Sequence, residues 1–277
     1  MIAIILEKAT DRLVSALRLS SFKDFKIYIP EHSDAIGADE DSLNYTIGTL
    51  ADVKEEFVMF LCPKAEPGKG MLGRVNRTIT EHPEFDVYHI NLEGEPKFPL
   101  KVDAEDFFVM VAQKDFKAPL SSFVFRTSVL KEMIVYRADE TKDPLATVIS
   151  CIGKGKMRTV RHTTLVHRFP ALTPEQKEER IWRRIEFLRW TESYWGDEDY
   201  PVTVAKGFAI YAKEVAKLYP SRGKDELKQL MEGFTTVKGP VRKLMASSAL
   251  KKAIKAREEE MSEPLGQPVE NQDNPLS

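Results

Sequence analysis

A chain of 277 residues, 42% hydrophobic and 30% charged, is ordinary globular material, long enough for one large α/β domain with additions. Its formal charge of −2 comes without a basic stripe, which argues against a nucleic-acid partner, and its two cysteines, Cys62 and Cys151, sit in or beside apolar segments, as reduced thiols do. No apolar run approaches a bilayer span, and the opening MIAIILEKATDR lacks a basic region before its six apolar residues, so we expect a first strand rather than a signal peptide, and a cytoplasmic protein.

Taken in order, Ile2–Leu6 predicts a strand and residues 11–19 a helix with Leu13, Val14 and Leu17 on one side and Asp11 as its N-cap. Residues 25–29 predict a buried strand closed by Pro30, which leaves Glu31 and Asp34 at a strand's carboxyl end. A short helix carrying Asn44 is expected over residues 42–50. Phe57–Leu61 is an unbroken apolar run between charges and the breakers Pro63, Pro67, Gly68 and Gly70, and reads as a fully buried strand. Met71, Leu72, Val75 and Ile79 then fall at helical spacing, and residues 86–90 form the next strand. Strand, loop, helix, strand is the unit of a parallel sheet, whose ligands gather at the carboxyl ends of the strands. The loop over residues 62–70 is therefore expected to line a crevice.

Residues 104–112 fit helix or strand. Residues 123–133 read as strand followed by helix, with Thr127 as its cap, and Asp143-Pro144 is a helix start. The ATVISCI that follows is β-branched, yet we read it as helix, then residues 157–167 as strand. Beyond Pro170 the texture turns to amphipathic helices at Pro174–Trp195, 202–219, Lys224–Phe234 and 240–260, and a polar tail expected to be disordered. The predicted division is an α/β domain over 1–169, a helical extension over 170–260 and a tail over 261–277.

Several motifs weigh less than they first suggest. Gly68-x-Gly70-x-x-Gly73 has dinucleotide spacing, with Glu93 as a nominal ribose acid, but residues 62–67 separate it from the strand, and we read a turn. Gly153-Lys154-Gly155-Lys156 lacks the spacing of a phosphate loop, and Asp197-Glu198-Asp199 reads as an acidic surface turn. Arg180, Trp182, Arg183, Arg184, Arg189 and Trp190 interleave bases with aromatics, but Ile181, Ile185 and Leu188 give the same helix a core face. The last helix sets Val241, Leu244, Met245, Leu250 and Ile254 among lysines and arginines, which suits either a docked terminal helix or peripheral contact with a membrane surface.

A family resemblance covers residues 1–169. SALRLSSFKDFKIYI, LNYTIGTLADVKEEFVMFL, PEFDVYHI, FVFRTSVLKEM and MRTVRHTTLVHRF together resemble the GT-A domain of family-two inverting glycosyltransferases. The resemblance implies a Rossmann-like, mostly parallel sheet with flanking helices, and transfer of a sugar from a nucleotide-activated donor to a glycan or lipid-linked acceptor. It puts Glu31, Asp34 and Asn44 at the donor nucleotide and Asp143 in the place of the catalytic base. The family's Asp-x-Asp, which holds Mg²⁺ or Mn²⁺, reads Cys62-Pro63-Lys64 here. Lys64 and Lys69 then stand as candidates to neutralise the diphosphate directly, with Glu66, His162 and His167 as candidate metal ligands. The alternative is a GT-A-like module that has lost catalysis and binds or scaffolds.

Overall fold

Among the described residues one open sheet holds eight strands, and its architecture starts from the apolar runs. β1 (Ile2–Leu6), β2 (Phe25–Tyr28) and β3 (Phe57–Leu61) are parallel, with β1 in the middle. The remaining strands are β4 (Ala65–Pro67), β5 (Val87–Leu92), β6 (Lys101–Asp103), β7 (Phe123–Arg126) and β8 (Lys156–His167), in the order β2-β1-β3-β7-β5-β8-β4 with β6 beside β8. β7 lies antiparallel between β3 and β5, and β5 runs parallel to β8. β8 takes two short antiparallel partners on its far side, β6 along its start and β4 along its end. The principal strands β1, β2, β3, β5 and β8 therefore point the same way.

The computed structural model describes residues 1–6, 10–29, 46–114, 118–135, 144–169, 171–195, 212–219, 221–234 and 240–262. Its helices are α1 (Asp11–Arg18), α2 (Thr46–Asp52), α3 (Met71–Glu81), α4 (Ala104–Lys114), α5 (Thr127–Val135), α6 (Pro144–Ile152), α7 (Pro174–Trp195), α8 (Lys224–Phe234) and α9 (Pro240–Ser262). By its contacts the chain divides into Met1–Thr203 and Val204–Ser277.

Alternation along each strand builds two cores. Ile2, Ile4, Leu6, Phe57, Met59, Leu61, Tyr88 and Ile90 pack with Leu13 and Leu17 of α1 and Leu72, Val75 and Ile79 of α3. Across the sheet, the intervening Phe123 meets Phe107 of α4 edge-on at 5.9 Å. Each of these large side chains contributes about 1.5–3 kcal/mol by leaving water. α6 is buried at every position, which explains how its β-branched residues come to be helical: burial on all sides outweighs propensity. α7 joins the same unit through Phe187 and Trp195, 5.9 and 5.2 Å from Phe108. In the second unit, α8 and α9 pack together with Leu227, Leu250 and Ile254 buried, and Lys224 Nζ lies 2.5 Å from Glu258 Oε1. No described helix is long and apolar enough to cross a membrane.

Several local expectations shift. The N-cap of α1 is Thr10, whose Oγ1 accepts from Leu13 N at 3.3 Å, and Asp11 is the first helical residue instead. Thr127 begins α5, but its Oγ1 has no hydrogen-bond partner among the described residues, so it does not cap. β3 and β5 share a direction as expected, yet β7 separates them. β4 and β6 are too short to show a period.

Candidate functional site

The parallel strands β1, β2 and β3 end at one edge of the sheet, and the described part of that edge is built on the turn after β3. Cys62 is buried there, its Sγ 3.2 Å from Nε2 of His167 at the end of β8 and 3.9 Å from Oγ of buried Ser121. The chain turns through Pro63 and Lys64 and returns as β4, where Ala65 pairs with His167 in register and Arg168 N donates to Lys64 O at 3.1 Å. Glu66, the next residue, is ion-paired to Arg12 of α1 and to Arg168 Nη2 at 3.1 Å. One carboxylate thus ties α1, β4 and the end of β8 together.

Gly68 follows, and it has to be glycine: a Cβ there would lie 2.9 Å from the Thr164 carbonyl oxygen. Gly70 caps α3 with φ 74°, the left-handed region glycine occupies freely. Gly73 has only an ordinary contact with Phe22 at 3.8 Å. The dinucleotide spacing is therefore a turn and a cap, set apart from β3 by β4.

The structure brings Lys64, Glu66 and His167 to one corner, with exposed Lys69 in the turn after β4. His162 is elsewhere. β8 bulges there: Ile90 pairs with Val160 and Leu92 with Leu165, so that 161–164 stand opposite Asn91 alone, and His162 adopts φ 56°. Glu31, Asp34, Asn44 and Asp143 lie outside the described residues, as do 197–199 and the tail from 263. Sequence reading missed the Cys62–His167 contact; the signal was present in the resemblance, which puts Cys62 in a metal-ligand place.

That corner's donor set does not suit Mg²⁺ or Mn²⁺, which take several hard oxygen ligands. Among the described residues no three His, Cys, Asp or Glu side chains come together, and Glu66 is engaged by two guanidiniums. Cys62 and His167 are two softer donors.

The opposite, amino-end edge is stitched rather than open. Arg126 donates to Asp86 and Glu56 at 2.7 Å each, and to the carbonyls of Pro83 at 2.5 Å and Phe85 at 3.3 Å. Burial works against its charge, yet the bonds to Asp86 and Glu56 more than offset this and raise its pKa. In the core, burial lowers the His89 pKa to about 3, so that the ring is neutral, held 4.4 Å from Phe98 and 5.0 Å from Phe123.

No family model matches this chain, and no curated protein matches it either. Solved structures do. S. aureus TarS 1–349 in complex with UDP-GlcNAc is similar with TM-score 0.56 at 13% identity, over 94% of this chain and 91% of that one. Mannosyltransferase PcManGT from Pyrobaculum calidifontis, in complex with GDP-Man and Mn²⁺, is similar with TM-score 0.51 at 10% identity, over 91% and 86%. The fold is GT-A-like. Within a GT-A-like sheet, the turn at Cys62 and the end of β8 occupy the carboxyl edge, where open α/β sheets bind ligands.

Proposed function

We propose that this chain is a glycosyltransferase-like protein that moves a sugar from a nucleotide-activated donor to a glycan or lipid-linked acceptor, by inversion and without a divalent cation. The reading is supported by one observation: a fold similar over 94% of the chain to a UDP-GlcNAc-bound structure ends β1 and β3 beside the turn at Cys62 and Lys64, where the resemblance puts the family's metal acids. The PcManGT neighbour carries GDP-Man, which supports the same class of donor. Residues 1–169 would form the donor-holding part. Glu31, Asp34 and Asn44, which follow β2 in the sequence, would hold the nucleotide.

Inverting transfer requires a carboxylate to take the acceptor's hydroxyl proton as its oxygen bonds to the anomeric carbon and the bond to the diphosphate oxygen breaks. Asp143, immediately before α6, is the candidate base, and Lys64 and Lys69 the cations that offset charge on the departing diphosphate. With Leu250 and Ile254 buried, peripheral membrane contact would rest on the exposed Lys251, Lys252 and Lys255, at a cytoplasmic face. The second reading, a binding module without catalysis, is favoured by the loss of both acids at Cys62-Pro63-Lys64.

Turnover separates the two. The transferase reading expects slow transfer or hydrolysis of a UDP- or GDP-sugar in EDTA, with Asp143→Asn lowering the rate by about 10²–10⁴ while donor affinity holds. Absence of turnover with every donor, with binding intact, would establish the non-catalytic module.

A further inference from the structure

The bulge of β8 lines two clefts. One, of about 280 Å³, runs between α3 and β8 and is bordered by Arg74, Arg77, Glu81, His82, Arg158 and Arg161; the other, of about 420 Å³, lies on the Lys97 and Asn91 side. Thr159, Arg161 and His162 belong to both, so the clefts meet on the bulge.

What distinguishes this place is charge without partners. Arg12, Arg126, Arg168, Arg183 and Arg222 all bind carboxylates. Arg74, Arg77 and Arg161 form no ion pair with any described residue, and they crowd one groove. Arg158 is the more telling case, because it is half-buried. Its Nη2 lies 2.7 Å from His82 Nε2, and an arginine only donates, so that nitrogen accepts. Its Nε is shut off from solvent with no hydrogen-bond partner among the described residues. Across the ladder its register neighbour is Lys101, a like charge that opposes the pairing.

The acids in reach are Glu81, on the cleft wall, and Glu84, whose Oε1 is 3.7 Å from His82 Nδ1. Two carboxylates against four guanidiniums leave the groove positive. A guanidinium held partly out of water without an anion is costly, and planar forks match phosphate oxygens two at a time.

We infer that the α3–β8 groove binds an anion carrying two or more phosphoryl groups, with Arg74, Arg77, Arg158 and Arg161 as its donors. This holds whether or not the chain transfers sugar. The groove meets the second cleft on the bulge, which gives a chain of phosphates a path beyond a single contact. Such a ligand is either a free chain of phosphates or the diphosphate of a nucleotide.

The test uses the full chain with inorganic tripolyphosphate and, separately, UDP, both by calorimetric titration at low and at moderate salt. The variant Arg77→Ala/Arg161→Ala alters two exposed residues, and its unliganded melting temperature shows whether it folds; Lys251→Ala/Lys252→Ala is the charge-matched control. Tripolyphosphate should bind the parent protein and the control alike, at least tenfold more weakly to the arginine variant, and more weakly as salt rises. If UDP weakens in parallel, the natural phosphates belong to a nucleotide; if UDP is unaffected, they belong to a separate chain of phosphates. Equal tripolyphosphate affinity in the arginine variant and the control, or no binding to the parent protein at millimolar concentration, overturns the inference.

Discussion

Arg126 and Arg161 mark two regions of the same sheet that treat a guanidinium in opposite ways. At the amino-end corner, Arg126 fills its donors with two carboxylates and two carbonyls and clips β7 to the segments before β3 and β5. On the β8 bulge, Arg161 stands exposed beside other arginines with no acid bound to it among the described residues, next to a histidine in the left-handed region. The first region is satisfied from within the chain, as stabilising networks are. The second finds no such acids among the described residues, and it coincides with the place where β5 and β8 lose register.

This contrast can be broken by measurement. The largest effect is expected under the bulge, where His89, in register with Thr159, contributes stability as a neutral ring. Its folded pKa of about 3 lies below the ordinary 6.5, so the unfolded chain binds the extra proton, and stability is full above pH 6.5 and falls as pH drops toward 3. The slope reaches about 1.4 kcal/mol per pH unit. Denaturant titrations across that window should show the loss, and His89→Phe should flatten it.

Next in size is Arg126→Ala, which leaves Asp86, Glu56 and two carbonyls without their donor and should cost about 2 kcal/mol in chemical denaturation, moderated by partial exposure. Gly68→Ala sets a methyl against the Thr164 carbonyl and should cost about 1–2 kcal/mol, while disturbing the bulge from the Cys62 side. Arg161→Ala, by contrast, should change stability by less than about 0.5 kcal/mol, and at low salt in the stabilising direction as crowding of like charge is relieved. A cost at Arg161 equal to that at Arg126 would erase the distinction between the two regions.

How much of this was readable in the chain follows from how local each feature is. The run Phe57–Leu61 and the periodic Pro174–Trp195 appear where they were expected, because a continuous apolar stretch or a long repeat carries its own signal. β4 and β6 were silent: three residues cannot show a period, and both exist because β8 offers them an edge. The insertion of β7 between β3 and β5 was silent too, since pairing partners some 65 residues apart leave no trace in either segment. The arginine groove joins α3 to β8 across about 80 residues, so Arg74 and Arg77 read as an ordinary solvated helix face until the bulge places Arg158 and Arg161 beside them. Lys64, Glu66 and His167 were each named in the sequence, but their meeting at one corner depends on β4 pairing with the end of β8, which neither segment announces. The pairing of Cys62 with His167 was silent as well, a buried thiol being by default a small apolar group.

The measurement closest to the central claim is equilibrium binding of UDP- and GDP-sugars to the full chain, followed by thermal shift with Mn²⁺ and again with EDTA. A ligand that binds only the native state raises the melting temperature by an amount that grows with its concentration relative to Kd. The account predicts a shift with at least one nucleotide-sugar that survives EDTA and is weakened by Lys64→Ala/Lys69→Ala. No shift with any nucleotide-sugar, or one that vanishes entirely when Mn²⁺ is removed, would contradict it.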